Sequence, residues 1–187
     1  MRETEALAAI VANAALYTVV GTLTYFGISF HGVRFWPAVV VPATFSVLYG
    51  PMVGGVGAAI GIFVSDLLIH GIPLLSLSVG VPANFIGFYI VGLARRRFSW
   101  PRYFLMACLG LAAGSAIIGV GIWAWSQYFI LPFHTEHTPL PLAAAATTAL
   151  WTFISEIPFL ILVVPPLAKA CFAAFPKLRP PARWVEA

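Results

Sequence analysis

The sequence predicts an all-α integral membrane protein with six transmembrane helices and both termini in the cytoplasm. Of its 187 residues, 61% are hydrophobic and only 9% are charged, whereas soluble domains are about 45–50% apolar and about 25% charged. The apolar residues form long runs, and basic residues gather beside alternate runs. So much apolar surface must face lipid, which excludes a soluble enzyme, a secreted disulfide scaffold and a disordered chain.

Each predicted span is an apolar run bounded by polar, Gly or Pro residues. The spans cover residues 6–30, 35–49, 52–69, 74–94, 103–129 and 142–170 of a single domain, with a short cytoplasmic tail at 171–187. A spanning helix needs about 20 residues, and the second run is short because 15 residues rise only about 22 Å. Pro42, Pro82 and Pro158 lie inside spans and are expected to bend them.

The orientation follows from the positions of the basic residues. With six spans, both termini share one side of the membrane, and nine of the ten basic residues fall there: Arg2, Arg95, Arg96, Arg97, Arg102, Lys169, Lys177, Arg179 and Arg183. Only Arg34 falls on the other side. Lys and Arg accumulate in cytoplasmic loops, so this side is cytoplasmic. The same distribution is a topology signal and not a nucleic-acid-binding face, so no nucleic-acid partner is expected.

Two acidic residues, Asp66 and Glu156, lie within predicted spans. A carboxylate at the centre of a span costs about 2.5–3.5 kcal/mol on insertion scales, so each is a functional candidate. Asp66 precedes His70 by four residues, a spacing at which the two side chains can pair on a helix. Two interpretations are equally open: the pair only fixes the turn, or both residues bind a ligand.

A second polar group is expected near the middle of spans four and six. Thr152 and Glu156 lie four residues apart on one face, Trp151 lies beside them, and Asn84 lies at similar depth on span four. We interpret these side chains as lining a substrate cavity that Trp123 caps from above. The alternative is a structural hydrogen bond between Asn84 and Glu156.

The long loop between spans five and six contains His134, Glu136 and His137. These residues lack a recognised zinc spacing, and a mobile lid is the simpler interpretation. No metal or cofactor is therefore expected. The sequence contains no P-loop and none of the hydrolase motifs G-x-S-x-G and H-E-x-x-H, so no catalytic residue is assigned.

Several short motifs identify a family resemblance. They are Arg34-Phe35-Trp36-Pro37, Tyr49-Gly50-Pro51, Gly54-Gly55, Gly57-Ala58-Ala59, Gly61 and Asp66, together with Ala8 and Ala12 four residues apart on span one. In these motifs, and in its length and six predicted spans, the chain resembles the substrate-binding S components of energy-coupling factor (ECF) vitamin transporters. The motif match covers residues 8–66, and the topology match extends over residues 6–170.

The resemblance implies a transport subunit of a prokaryotic cell membrane with no ATPase activity of its own. Such a subunit captures a vitamin or related micronutrient from outside, and loops close over the site. It then docks through Ala8 and Ala12 on a coupling subunit that carries two ATPase subunits. ATP hydrolysis in these partners drives toppling of the S component and release of the solute.

The residues favour a ligand class without fixing it. Two acids beside Trp151 favour a neutral-to-cationic aromatic, such as a thiamine-like or pyrimidine compound, whereas Arg34 could equally select an anionic group. The alternatives of other classes are a membrane-embedded enzyme that uses Asp66 and Glu156 on a lipid or small apolar substrate, and a structural partner without a ligand.

Overall fold

A computed structural model describes residues 3–180 as a bundle of helices with one small β-hairpin. In chain order the elements are α1 (Glu3–Leu23), β1 (Ser29–Phe30), β2 (Val33–Arg34), α2 (Val40–Tyr49), α3 (Pro51–Ile69), α4 (Pro73–Leu75), α5 (Val81–Gly92), α6 (Trp100–Ser126), α7 (Ala143–Leu162) and α8 (Val164–Ala174). Arg2 and residues 181–187, which include Arg183 and the last seven residues of the predicted tail, lie outside the described residues.

Within residues 3–180, five helical segments are long and apolar enough to cross a membrane: Glu3–Leu23, Pro51–Ile69, Pro73–Arg97, Trp100–Ser126 and Ala143–Ala174. The second predicted span corresponds to a shorter apolar helix, Pro37–Tyr49. The chain therefore has the architecture of an all-α, multi-pass membrane protein. A sixth crossing by the short helix and the cytoplasmic position of the termini stay predictions.

The first helix ends at Leu23 and not at residue 30 as predicted. After a turn that contains Gly27 at φ +76°, β1 pairs with β2 in antiparallel register, Phe30 opposite Val33. His31 and Gly32 connect the two strands with φ values of +48° and +80°, the backbone that a tight two-residue hairpin loop requires. Apolar residues that continue the first run thus form a hairpin and not a further helical turn.

The fourth segment runs without interruption from α4 to Arg97, but its helical pitch changes. Residues Ser76–Gly80 form a π-helical stretch directly before α5, and Leu93–Arg97 form a 3-10 helix after it. Pro82 follows the π-helical stretch. Proline has no N–H, and its ring clashes with the carbonyl four residues earlier in a regular α-helix, so the wider turn accommodates it.

The other two predicted bends have different outcomes. Pro42 lies in the first turn of α2, where proline is better tolerated than in a helix interior. Pro158 lies inside α7, which continues past it to Leu162. The last helical segment is interrupted instead at Val163, just before Pro165 and Pro166, and resumes as α8.

Close contacts between small residues hold the long helices together. On α3, a Cβ added at Gly61 would lie 2.9 Å from the Ala14 carbonyl oxygen of α1. Asn13 is fully buried in the same interface and donates a hydrogen bond to the Val53 carbonyl at 3.0 Å. In lipid such small contacts and interhelical hydrogen bonds replace the hydrophobic effect as the source of helix association.

The bundle has two distinct ends. At one, which we call the hairpin end, the β-hairpin, the turn after α3 and the loop 127–142 meet, and Tyr25 stacks on Phe133 with ring centroids 5.9 Å apart. At the opposite, arginine end, Arg95 donates hydrogen bonds to the carbonyls of Val47 (2.9 Å) and Leu178 (3.0 Å).

Candidate functional site

A cavity of about 110 Å³ lies inside the bundle toward the hairpin end. Its walls come from α1, α3, the segment Ser76–Gly92, α6 and α7, and the hairpin and Pro132 contribute at its mouth. Six of the predicted site residues line it: Arg34, Asp66, His70, Asn84, Thr152 and Glu156. The structure thus brings together polar groups that the sequence places on four separate segments.

An ion pair between Arg34 and Asp66 lies at the mouth of the cavity. The Arg34 Nη2 atom donates to the Asp66 Oδ1 atom, and both side chains are less than a tenth exposed. Ser76 donates to the other carboxylate oxygen at 2.6 Å, and the His70 Nε2 atom lies 3.4 Å from Oδ1. Asp66 therefore does pair with His70, as the spacing allows, but Arg34 is its principal partner.

The guanidinium of Arg34 also lies over an aromatic ring. Its central carbon is 4.0 Å from the centroid of the Trp36 indole, a cation–π arrangement. Burial lowers the pKa of Arg34, and the neighbouring Asp66 carboxylate opposes this effect. An arginine keeps its charge under both influences, so Arg34 and Asp66 neutralise each other locally.

A chain of hydrogen bonds crosses the cavity wall from Trp36 to Asn84. The Trp36 Nε1 atom donates to the Tyr17 hydroxyl at 2.9 Å, and that hydroxyl donates to the Asn84 Oδ1 atom at 2.7 Å. The Asn84 Nδ2 atom donates to the Gly80 carbonyl at 2.9 Å. The predicted alternative of a direct hydrogen bond from Asn84 to Glu156 is absent from residues 3–180.

Glu156 is buried on α7, one turn after Thr152, with 7% of its surface exposed. Thr152 uses its hydroxyl within the helix, donating to the Thr148 carbonyl at 3.0 Å. The Glu156 carboxyl group, in contrast, has no hydrogen-bond partner anywhere in residues 3–180. On α6, Ser115 lines the same cavity, is 2% exposed, and its hydroxyl also has no partner in that range.

Two predicted site residues do not line the cavity. The Trp151 indole turns toward the hairpin, where Nε1 donates to the Val33 carbonyl at 3.3 Å and the ring lies 5.8 Å from the ring of Phe30. Trp123 also lies outside the cavity lining. Trp151 therefore supports the roof of the site and does not offer a stacking surface inside it.

The roof is the hairpin itself, held on α7. The His31 Nδ1 atom and the Thr148 hydroxyl form a hydrogen bond of 2.9 Å, and a Cβ at Gly32 would lie 3.1 Å from the Pro132 Cδ atom. Burial lowers the pKa of His31, and the nearby His134 lowers it further. The hairpin is thus fixed by a few contacts to α7 and to the loop 127–142.

Sequence reasoning missed four lining residues whose side chains can form hydrogen bonds: Tyr17, Trp36, Ser76 and Ser115. Trp36 is 4% exposed and lies over Gly21, where a side chain would collide with its indole. The motif that contains both Arg34 and Trp36 was the signal in the sequence that could have identified Trp36 as a site residue. Ser115, in contrast, resembles any small residue of a packed helix.

The floor and one wall of the cavity are apolar. Phe88, Val91, Leu111 and Leu160 lie in the main hydrophobic core below the polar groups and close the cavity toward the arginine end. Where α5 faces α6, glycine backbone lines the cavity. The two helices are so close there that a Cβ at Gly87 would lie 3.2 Å from the Gly110 carbonyl oxygen.

The loop with His134, Glu136 and His137 has no cluster of three or more His, Cys, Asp or Glu side chains able to hold a metal, and neither has any other part of residues 3–180. His137 instead forms a 3.0 Å hydrogen bond with the Ser126 carbonyl. Far from the cavity, Ala8 and Ala12 lie on the exposed face of α1.

Comparison with known proteins gives one informative relative. No family model matches the chain. A UPF0397 protein of Aliivibrio salmonicida (strain LFI1238) is 34% identical to it over 148 residues, which cover 74% of this chain and 79% of that protein. The family name specifies no ligand and no reaction. At this identity and coverage, the chain belongs to the UPF0397 family.

Proposed function

We propose that this protein is the substrate-capturing membrane subunit of an ECF-type importer and binds a vitamin or related small micronutrient. The observation that carries the proposal is the cavity at the hairpin end, in which the buried carboxyl group of Glu156 has no partner among residues 3–180. A buried polar group costs free energy unless it is hydrogen-bonded. A solute that supplies the missing partner would remove this cost.

The roof supports a capture role. The hairpin and the loop 127–142 cover the cavity through a few polar contacts, such as His31 to Thr148, and through a small apolar cluster that includes Val33 and Leu131 and is separate from the main core. Loops held in this way can open at modest cost. In the proposed orientation this end faces outward, the arginine end faces the cytoplasm, and the protein is a multi-pass component of a prokaryotic cell membrane.

The first helix supports the proposed docking on a coupling subunit and two ATPase subunits. Ala8 and Ala12 are exposed, whereas Ala9 and Asn13 on the adjoining face are buried against the bundle. Small exposed residues four apart allow another helix to approach closely in lipid. This face is therefore free to receive a partner helix.

The membrane-enzyme alternative is not favoured by the geometry. It requires Asp66 and Glu156 to act on a substrate, but both carboxylate oxygens of Asp66 are already engaged, one by Arg34 and the other by Ser76. A carboxylate whose two oxygens are both engaged has none free to take a proton from a substrate.

Affinity purification from native membranes tests the proposal. The wild-type protein is expected to bring down P-loop ATPases and a multi-spanning coupling subunit, and Ala8→Trp or Ala12→Trp to abolish their recovery. Leu105→Trp is the matched control, because Leu105 is also exposed and lies near the arginine end, but on α6. Recovery of the same partners with all three variants would contradict the docking assignment, and solute uptake by the isolated protein would contradict the function.

A further inference from the structure

The permanent cation of the cavity lining, Arg34, is already engaged by Asp66. Arg34, Asp66, His70 and Glu156 are the side chains lining it that carry or can gain charge near neutral pH. Arg34 and Asp66 form an ion pair, so a negative charge on Glu156 would have no counter-charge among the described lining residues. Tyr17, the remaining titratable group in the lining, uses its hydroxyl in the chain from Trp36 to Asn84.

The groups that a ligand can still engage are few. Asn84 has both ends of its amide in use, and Asp66 has both of its oxygens in use. Among residues 3–180, the Glu156 carboxyl group, the Ser115 hydroxyl and the His70 Nδ1 atom line the cavity without a hydrogen-bond partner. His70 lies beside Asp66 at the mouth, whereas Glu156 and Ser115 lie on α7 and α6, away from the ion pair.

Glu156 and Ser115 lie at similar depth below the hairpin end. Glu156 follows the start of α7 at Ala143 by 13 residues, and Ser115 precedes the end of α6 at Ser126 by 11 residues, which is about 20 Å and about 16 Å of helix rise. Both lie above the apolar floor formed by residues such as Leu111 and Leu160. The deepest polar part of the cavity therefore consists of a carboxyl group and a hydroxyl group, both able to accept hydrogen bonds from a ligand.

We propose that the group bound deepest in this cavity is a positively ionisable nitrogen that donates hydrogen bonds to Glu156, as in an amidine, an aminopyrimidine or a protonated amine, with Ser115 as the second contact. The inference rests on the proposed function, in that it takes the cavity as the solute site. It assigns selectivity to Glu156 and not to Asp66 or Trp151. A cationic group would serve as the counter-charge of the Glu156 carboxylate, which an anionic head group could not do.

Three probes of equal size test this assignment by isothermal titration of the purified full-length protein: benzamidine is cationic, benzamide is neutral and benzoate is anionic. Benzamidine is expected to bind at least about tenfold more tightly than benzoate, because a charge-assisted hydrogen bond in a buried site contributes at least that factor. Glu156→Gln, which preserves the shape of the side chain, is expected to weaken benzamidine binding by about tenfold or more and to remove the preference over benzoate.

Ser155→Ala is the matched control, since Ser155 is the neighbour of Glu156 on α7 but does not line the cavity. It is expected to keep the wild-type affinity and preference. The proposal is overturned by equal or tighter binding of benzoate, by no binding of benzamidine, or by an unchanged preference in Glu156→Gln. The wild-type measurements decide two of these outcomes even if the variant does not fold. None of these titration results affects the recovery of the ATPase partners, so the proposed function is tested separately.

Discussion

Arg34 and Asp66 join the hairpin to α3 through a buried ion pair at the mouth of the cavity. The two residues are 32 positions apart in the sequence, and they lie on different elements, the hairpin and α3. The pair places a positive group from a loop against a carboxylate near the end of a membrane helix. It therefore links the position of the roof to the position of the helix below it.

Removing one partner of this pair should destabilise the protein strongly. Arg34→Met leaves Asp66 buried without its cation, and breaking a buried pair in this way costs about 3–5 kcal/mol. Arg34→Met/Asp66→Asn should recover most of that loss, because no unpaired charge remains and Asn still accepts a hydrogen bond from Ser76. The free energy of unfolding in mixed detergent and SDS micelles measures both effects.

Arg96→Met controls for the loss of a positive charge, since Arg96 is exposed at the arginine end. It should leave the free energy of unfolding within about 0.5 kcal/mol of the wild type. A double variant less stable than Arg34→Met would show that the ion pair is not the reason for the loss.

The Tyr17 hydroxyl should contribute to stability through its two hydrogen bonds. Tyr17→Phe keeps the ring, which packs edge-on against Trp36 and Phe88, but leaves the Trp36 N–H and the Asn84 carbonyl without partners. The expected loss in the free energy of unfolding is about 1–3 kcal/mol. Tyr128→Phe, at a residue that is 79% exposed, should change it little, and similar losses in the two variants would contradict the role of the buried chain.

The contact of the hairpin with α7 should weaken in acid. The pKa of His31 is lowered by burial and by His134, so the neutral ring is the form favoured in the closed arrangement. This stabilisation is complete above the ordinary value of 6.5 and is lost as the pH falls below it. Hydrogen-exchange protection factors of the hairpin amides should therefore decrease between about pH 7.5 and about pH 5.5.

His31→Gln should remove this pH dependence, because glutamine does not titrate. His137→Gln should retain it, since His137 contacts Ser126 and not the hairpin. A decrease of the same size in the His31 variant would assign the effect to another group.

Gly32 should be more sensitive to substitution than Gly27, although both have positive φ values of +80° and +76°. A side chain strains the backbone at either position, by about 1–2 kcal/mol. At Gly32 it also meets Pro132, whereas nothing lies within 4 Å of a Cβ at Gly27. Solute binding to Gly32→Ala should therefore be weaker than to Gly27→Ala, and equal affinities would show that contact with Pro132 does not help to close the roof.

Much of the helical framework could be predicted from the sequence, because charges and Gly-Pro pairs interrupt its apolar runs. Gly50 and the arginine triplet Arg95–Arg97 mark helix boundaries in both the prediction and the structure. The hairpin could not be predicted in the same way, since apolar residues up to Phe30 continue the pattern of a membrane span.

The site was predictable to the extent that charge in lipid is costly. This argument selected Asp66 and Glu156, and both line the cavity. It could not find the partner of Asp66, because Arg34 is on a loop whose path depends on the hairpin. The direction of Trp151 could not be predicted either, because its neighbour Thr152 is only about 100° away around the helix.

The glycine contact between α5 and α6 limits how this protein family can diversify. At Gly87 and Gly110 the two backbones already touch, so even a methyl group there would force the helices apart. Substitutions can change the shape of the cavity from its other walls, at residues such as Ser115 or Thr152, or in the hairpin. We expect relatives that bind other ligands to differ at those positions and to keep both glycines.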